Sequence, residues 1–222
     1  MKKKLISLLL CGALLCGALA GCSSNSADTS DDSASATSQS EETTKTLTTA
    51  VGAELNTLYP LNMDVQNNIG TKLCYEGLVN YENGEVVPCL AESWEFSDDG
   101  KTLIFHLKEG VTFHDGTAFN AEAVKADFDF AHPNPNFSNI SAVANVESIE
   151  VVDEYTVAFH YPNAYFAYLL DFCYPETMVL VSPAVLEEGN YQSMNGVVGT
   201  GPYIYDEIVD GEYVRFVRNE NY

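Results

Sequence analysis

Cationic side chains are scarce in this sequence. Its 222 residues include 10 Lys and Arg against 32 Asp and Glu, which gives a formal net charge of −22 at pH 7. Three of the cations, Lys2, Lys3 and Lys4, follow the initial methionine. A surface this acidic repels nucleic-acid phosphates and anionic lipid headgroups. We therefore expect no nucleic-acid partner, whereas the 46% hydrophobic residues are enough for a folded core.

Recognised catalytic motifs are also missing. The 4 His residues are too widely spaced for HExxH, and no GxSxG nucleophile motif is present. The turn His114-Asp115-Gly116 predicts a carboxylate bonded to nearby backbone amides rather than a proton-transfer pair. Gly199-Thr200-Gly201-Pro202 has no Lys after it, which disfavours a phosphate-binding loop. We expect no catalytic residue and no cofactor.

Metal-binding motifs are equally sparse. Asp127 and Asp129 imitate a DxD motif, but residues at i and i+2 of a helix point apart. The pair therefore predicts two carboxylates on a solvated helix face. His106 and His160 fall in predicted strands, where we expect structural roles. No metal site is predicted.

Long hydrophobic runs are absent except at the N-terminus. Residues 5–19 form one apolar stretch, and Leu19-Ala20-Gly21-Cys22 resembles a bacterial lipobox. We predict a lipoprotein signal peptide over residues 1–21. The lipid would be attached to Cys22 and would anchor the chain to the outer face of the cytoplasmic membrane. The alternative, an uncleaved membrane helix, is disfavoured because the run is short for a hydrocarbon core of about 30 Å.

Aromatic residues are missing from residues 23–44, which are rich in Ser, Thr and acidic side chains. Such a segment cannot bury enough apolar surface to offset the entropy of ordering. We therefore predict that residues 22–46 comprise the lipidated Cys22 and a disordered linker, and that residues 47–222 are folded.

Cysteine is too sparse for a disulfide framework. Processing at Cys22 would leave Cys74, Cys89 and Cys173 as free residues of the folded part. Their number is odd and they lack CxxC spacing, so we expect buried small hydrophobic side chains rather than a metal site. The sequence leaves open whether two of them form a disulfide.

Hydrophobic periodicity predicts a mixed α+β fold. Alternating segments bounded by turn residues indicate β-hairpins over residues 93–108, 146–161 and 203–217. A further strand is expected over residues 47–52, and helices over residues 68–76, 165–172 and 183–188, the last capped by Ser182. Asn120 is expected to cap a helix with an apolar face at Ala121, Val124 and Phe128.

Several ordered sequence blocks resemble bacterial extracellular solute-binding proteins of family 5, the peptide/nickel group. The blocks are residues 88–95, 97–102, 105–111, 113–117, 199–203 and 218–222. The resemblance implies a periplasmic-binding-protein-like class II fold with a hairpin-rich subdomain in its first lobe. Such a receptor captures a peptide, a nickel complex or another small solute and delivers it to the permease and ATPase subunits of an ABC importer.

The resemblance also implies ligand contacts in two segments. The expected contacts are Asn62, Met63, Asp64 and Asn68 after the first strand, and Glu176 and Thr177 after the second hairpin. The nickel-binding branch tends to have arginines where Asp129 and Glu176 stand here. A carboxylate in place of a guanidinium favours a cationic ligand or a peptide amine over an anionic chelate.

The sequence is short for this family, because it stops at Tyr222 before the expected second lobe. We expect a truncated gene model with an incomplete first lobe, which would neither close on a ligand nor fold fully. The alternative is a surface interaction or sensing lipoprotein without a transport role. A secreted hydrolase is disfavoured because no nucleophile, base and oxyanion set is evident.

Overall fold

The computed structural model describes residues 45–50, 58, 60, 68–175, 177–189 and 193–222. The chain divides into two units, Met1–Thr48 and Thr49–Tyr222, and the second contains the helices and strands that follow. The predicted signal peptide, Cys22, most of the predicted linker, Asn62, Met63, Asp64 and Glu176 lie outside the described residues.

Short helices and antiparallel strands alternate along the second unit. The helices are α1 (Asn68–Cys74), α2 (Ala121–Ala131), α3 (Ser141–Ala144), α4 (Tyr168–Asp171) and α5 (Pro183–Glu188), with 3₁₀ turns at Pro135–Phe137 and Met194–Gly196. The strands are β1 (Val79–Glu82), β2 (Glu85–Pro88), β3 (Ala91–Phe96), β4 (Thr102–Leu107), β5 (Ser148–Asp153), β6 (Thr156–His160), β7 (Tyr203–Val209) and β8 (Tyr213–Arg218). In the described residues, no helix is long and apolar enough to cross a membrane.

A four-stranded antiparallel sheet in the order β3-β4-β6-β5 forms the centre of the unit. Its two hairpins confirm the predictions for residues 93–108 and 146–161. Strand β4 alternates as predicted, with Leu103, Phe105 and Leu107 buried on one face. The turn before β4 is fixed by the Ser97 hydroxyl, which donates to Asp99 Oδ1 at 2.7 Å.

Helix α2 covers the buried face of this sheet. Asn120 caps the helix as predicted, because its Oδ1 accepts a hydrogen bond from the Ala123 amide at 3.0 Å. The predicted apolar face is confirmed, and its Phe128 ring lies 4.9 Å from that of Phe159 and 5.4 Å from that of Phe172. These rings fill the main core.

Three local predictions differ from the structure. Residues 47–50 of the predicted first strand are exposed and carry no strand, and the rest of that strand lies outside the described residues. The helix predicted over residues 165–172 is a single turn, α4. The third prediction is met only in part: Ser182 is the N-cap residue of α5, but its hydroxyl makes no capping hydrogen bond and instead donates to Asp115 Oδ2 at 2.5 Å.

The prediction that Asp127 and Asp129 both lie on a solvated face of α2 is confirmed for Asp129 and wrong for Asp127. Asp129 is exposed and forms an i,i+4 ion pair with Lys125. Asp127 is only partly exposed and accepts a hydrogen bond from the Val181 amide. Burial raises the pKa of Asp127 to about 8, against an ordinary value of 3.8, while that hydrogen bond opposes the rise. The segment before α5 therefore covers a carboxylate that the helical pattern assigned to solvent.

Candidate functional site

A groove of about 830 Å³ lies where the C-terminal end of α1, strand β1 and the segment after α4 meet. Five aromatic residues line it: Tyr75, Tyr81, Phe172, Tyr174 and Tyr222. Its charged lining residues are Lys72, Glu76 and Glu82. The groove is therefore large enough for a small solute and combines aromatic rings with carboxylates.

Close backbone contact positions one wall of the groove. Gly77 forms an isolated antiparallel bridge with Val179, and the Leu180 amide donates to the Glu76 carbonyl at 2.9 Å. A Cβ on Gly77 would lie 2.5 Å from the Met178 carbonyl oxygen, so only glycine allows this approach. The end of α1 is thereby held against residues 178–180.

The Glu76 side chain connects several parts of the wall. Its Oε2 accepts from the Thr200 hydroxyl at 2.9 Å, and its Oε1 accepts from the Tyr222 hydroxyl at 3.0 Å. Burial, and then the charge of Glu76, raises the pKa of Tyr222 to about 12. The Tyr222 phenol is therefore a neutral hydrogen-bond donor over the physiological pH range.

The loop Gly199-Thr200-Gly201-Pro202 packs directly on α1. The Gly201 amide donates to the Cys74 carbonyl at 2.9 Å, and a Cβ on Gly201 would lie 2.6 Å from the Leu73 carbonyl oxygen. The glycines thus allow close packing of backbone on backbone. This role agrees with the sequence argument against a phosphate loop.

His114 joins this loop to the preceding turn. Its Nε2 lies 2.9 Å from the Gly201 carbonyl, and its Nδ1 accepts from the Gly199 amide at 3.4 Å. This pattern requires a neutral imidazole with the proton on Nε2, and burial lowers the pKa of His114 accordingly. Asp115 Oδ1 accepts from the Thr117 amide at 2.9 Å, which confirms the predicted backbone bonding of that carboxylate.

The three cysteines of the folded part are free thiols. Cys89 and Cys173 both line the groove, and burial raises the pKa of each to about 11. Such thiols are protonated near neutral pH and are poor metal ligands. Within the described part of the chain, no group of three or more His, Cys, Asp or Glu could hold a metal ion.

Two of the predicted ligand contacts fall on described residues. Asn68 is the first residue of α1. Thr177 is 4% exposed, and its amide donates to the Tyr174 carbonyl at 3.3 Å. Thr177 does not line the groove, although Pro175 and Met178 on either side of it do. Ligand contact by all six predicted residues stays a prediction.

The β1–β2 hairpin supplies groove residues that the sequence analysis missed, Tyr81 and Glu82. The signal that could have located it is Asn83-Gly84 between two short extended segments. Both turn residues have positive φ, 52° for Asn83 and 92° for Gly84. This two-residue turn places Glu82 directly opposite Glu85.

The α+β architecture of short helices and antiparallel hairpins beside a solute-sized groove is that of periplasmic solute-binding proteins. Residues 85–222 match the family described as bacterial extracellular solute-binding proteins, family 5 middle. The chain belongs to this family, as its sequence blocks predicted. The predicted fold class is confirmed by solved structures of such proteins.

The curated relatives of this chain are named for different ligands. The chain is 32% identical over 182 residues to the nickel-binding periplasmic protein of Escherichia coli strain K12, covering 76% of this chain and 34% of that protein. It is 33% identical over 181 residues to the glutathione-binding protein GsiB of Escherichia coli O1:K1 / APEC, covering 80% and 35%. The chain therefore spans about a third of the length of these relatives.

A solved structure gives the same picture. NikA from Brucella suis, in complex with Fe(III)-EDTA, superposes with a TM-score of 0.67 at 34% identity. The match covers 77% of this chain and 35% of that one. The fold that contains the groove is therefore shared with a protein whose structure was determined in complex with Fe(III)-EDTA.

Proposed function

We propose that this chain is the solute-binding component of an ABC importer. It captures a peptide, a nickel complex or a related small solute outside the cell and delivers it to a membrane permease driven by an ATPase. The observation that carries the proposal is the 830 Å³ groove within a family 5 fold. The relatives named above bind solutes, and the chain is proposed to do the same without catalysis.

The proposed location is the outer face of the cytoplasmic membrane, with residues 1–21 as a signal peptide and Cys22 as the lipidated residue. The Ser/Thr-rich linker would keep the folded part close to a permease in the same membrane. A Cys22→Ala variant should move from the membrane fraction to the soluble extracytoplasmic fraction. The matched Cys89→Ala variant should stay with the membrane, and membrane retention of both variants would overturn the proposed anchor.

The proposed solute contacts are Asn62, Met63, Asp64, Asn68, Glu176 and Thr177. Support for the second cluster comes from its neighbours, since Pro175 and Met178 line the groove. The Glu176→Gln variant tests this cluster. Glu212→Gln is the control, because it removes the same charge in the turn between β7 and β8. A direct contact predicts that only the first variant weakens solute binding, by about tenfold.

Function itself is tested with the unmodified chain and the permease and ATPase subunits of its importer. Calorimetric titration with glutathione, the dipeptide Met-Leu and Ni²⁺ with histidine would identify a bound class. The bound solute should then stimulate ATP hydrolysis by the reconstituted importer only when this chain is present. Solute binding without any stimulation would favour the sensing lipoprotein instead.

A further inference from the structure

The groove has an aromatic rim that stays in contact with water. Tyr81 is 56% exposed, Tyr174 53% and Tyr222 70%, and all three line the same groove. Exposing three large rings around one concavity leaves apolar surface that a bound solute would cover. The faces of such rings are negative and attract cations.

The groove also has carboxylates without a cationic partner. Glu76 accepts hydrogen bonds from Thr200 and Tyr222, which are neutral donors. Glu82 stands directly across the hairpin from Glu85, an arrangement that is unfavourable for like charges. Among the described residues, no Lys, Arg or His forms an ion pair with any of these three carboxylates.

The net charge of the described lining is negative, because Glu76 and Glu82 outnumber Lys72, which lies in the last turn of α1. The chain as a whole carries −22, so the long-range field also draws cations toward the surface. An anionic solute would meet this field and the carboxylates without a compensating cluster of arginines. The charge of the groove therefore complements a cation.

We propose that this groove binds a small organic cation, with a protonated or quaternary ammonium seated among the tyrosine rings and near Glu76 and Glu82. The proposal rests on the solute-binding function above and specifies its substrate class. All of the described lining residues belong to the unit Thr49–Tyr222.

The test compares two ligands of nearly equal shape. Choline and its neutral carbon isostere, 3,3-dimethylbutan-1-ol, are titrated calorimetrically into the full chain. Choline is expected to bind at least about tenfold more tightly, as an ammonium over aromatic rings near unpaired carboxylates should. Equal affinities, or binding of neither ligand, would overturn the proposal.

Ring substitutions separate a cation–π contact from simple burial. Tyr81→Phe should bind choline as wild type does, whereas Tyr81→Leu should bind it about threefold to tenfold more weakly. Tyr203→Leu is the matched control, since Tyr203 is 41% exposed and does not line the groove. Equal losses in both Tyr81 variants would contradict recognition by the ring face.

A charge substitution tests the carboxylates. Glu82→Gln should weaken choline binding by about threefold or more at low salt, whereas Glu212→Gln, with the same change in net charge, should not. Circular dichroism of each variant verifies folding before titration. An equal effect of both variants would show that Glu82 acts only through the overall negative charge of the chain. That result would contradict a local contact.

Failure of this inference is distinguishable from failure of the proposed function. If glutathione, Met-Leu or Ni²⁺ with histidine stimulates the importer while choline binds no better than its isostere, transport stands and the cationic class is wrong. If choline binds selectively but no solute stimulates ATP hydrolysis, the groove chemistry stands and the transport role is wrong.

Discussion

Two apolar clusters within the folded unit are held together in different ways. The larger one lies between the four-stranded sheet and α2 and is filled by interlocking aromatic rings. The smaller one joins α1, residues 179–185 and Val197, and the hairpin β7–β8 packs against it. The first cluster depends on side-chain volume, and the second on close backbone contacts and polar groups. The groove lies at the boundary of the two clusters, because Phe172 and Met178 of the larger one and Tyr75 and Val179 of the smaller one all line it.

The difference indicates how the unit separates scaffold from site. In the larger cluster, the Phe159 ring lies 5.8 Å from Phe105, 4.9 Å from Phe128 and 5.0 Å from Phe172. In the smaller cluster, Gly199 and Gly201 approach the end of α1, and Glu76 connects separate segments. We infer that the larger cluster supplies most of the stability and that the close contacts of the smaller one position one wall of the groove.

The largest expected effect is in the aromatic cluster. Phe159→Ala removes a fully buried ring and should lower the free energy of unfolding by about 3–5 kcal/mol. Urea titration followed by circular dichroism measures the change. If this variant does not fold, Phe159→Leu provides a milder loss of about 1–2 kcal/mol. A change below 1 kcal/mol in Phe159→Ala would contradict the assignment of this ring to the main core.

The second effect tests the backbone packing beside the groove. Gly201→Ala places a Cβ 2.6 Å from the Leu73 carbonyl oxygen, so the loop must move away from α1. We expect a loss of about 2 kcal/mol in thermal unfolding, together with weaker solute binding. Gly84→Ala is the control: its Cβ meets nothing within 4 Å, so only the positive φ costs about 1 kcal/mol. Equal losses of stability in both variants would argue against a steric clash between the loop and α1.

The third effect is the pH dependence that Asp127 imposes on the folded unit. Its folded pKa of about 8 exceeds the ordinary 3.8, so the folded state binds more protons and loses stability as pH rises through this window. Asp127→Asn should remove that loss, so the free energy of unfolding of this variant should fall less between pH 5 and pH 8 than that of the wild type. Asp129→Asn, at an exposed position, should not change the profile, and identical profiles for both variants would contradict the burial of Asp127.

The smallest expected effect concerns the Glu76 connections. Tyr222→Phe removes the hydroxyl that donates to Glu76 at 3.0 Å but keeps the ring at the groove. Because Tyr222 is 70% exposed, we expect a loss of only about 0.5 kcal/mol. A double-mutant cycle with Glu76→Gln measures the coupling. Additive effects would show that this hydrogen bond does not contribute to the wall.

Much of the scaffold could be predicted from local sequence. Period-two alternation located the strands of the central sheet, and the Asn120 cap with its apolar face located α2. These signals are local because a strand or helix face needs only its own side-chain period. The N-cap position of Ser182 was also predicted correctly, but its capping hydrogen bond was not formed because the distant Asp115 carboxylate accepts the bond from its hydroxyl.

The groove could not be predicted in the same way. It requires Gly77 to meet Val179, and the Gly199-Thr200-Gly201-Pro202 loop to meet α1, across long stretches of sequence. Glycine leaves no hydrophobic pattern, so the sequence did not indicate these contacts. The Asn83-Gly84 hairpin was readable but was missed, and with it Tyr81 and Glu82.

Hydrogen exchange tests most directly whether solutes bind in the groove at the boundary of the two clusters. The full chain is compared with and without saturating choline, glutathione or Ni²⁺ with histidine, using each solute that calorimetry shows to bind. Slower exchange is expected at amides of residues 72–82 and 170–179, with little change in β4 and β6. Protection confined to β4 and β6, with none in the groove segments, would contradict the assignment of scaffold and site.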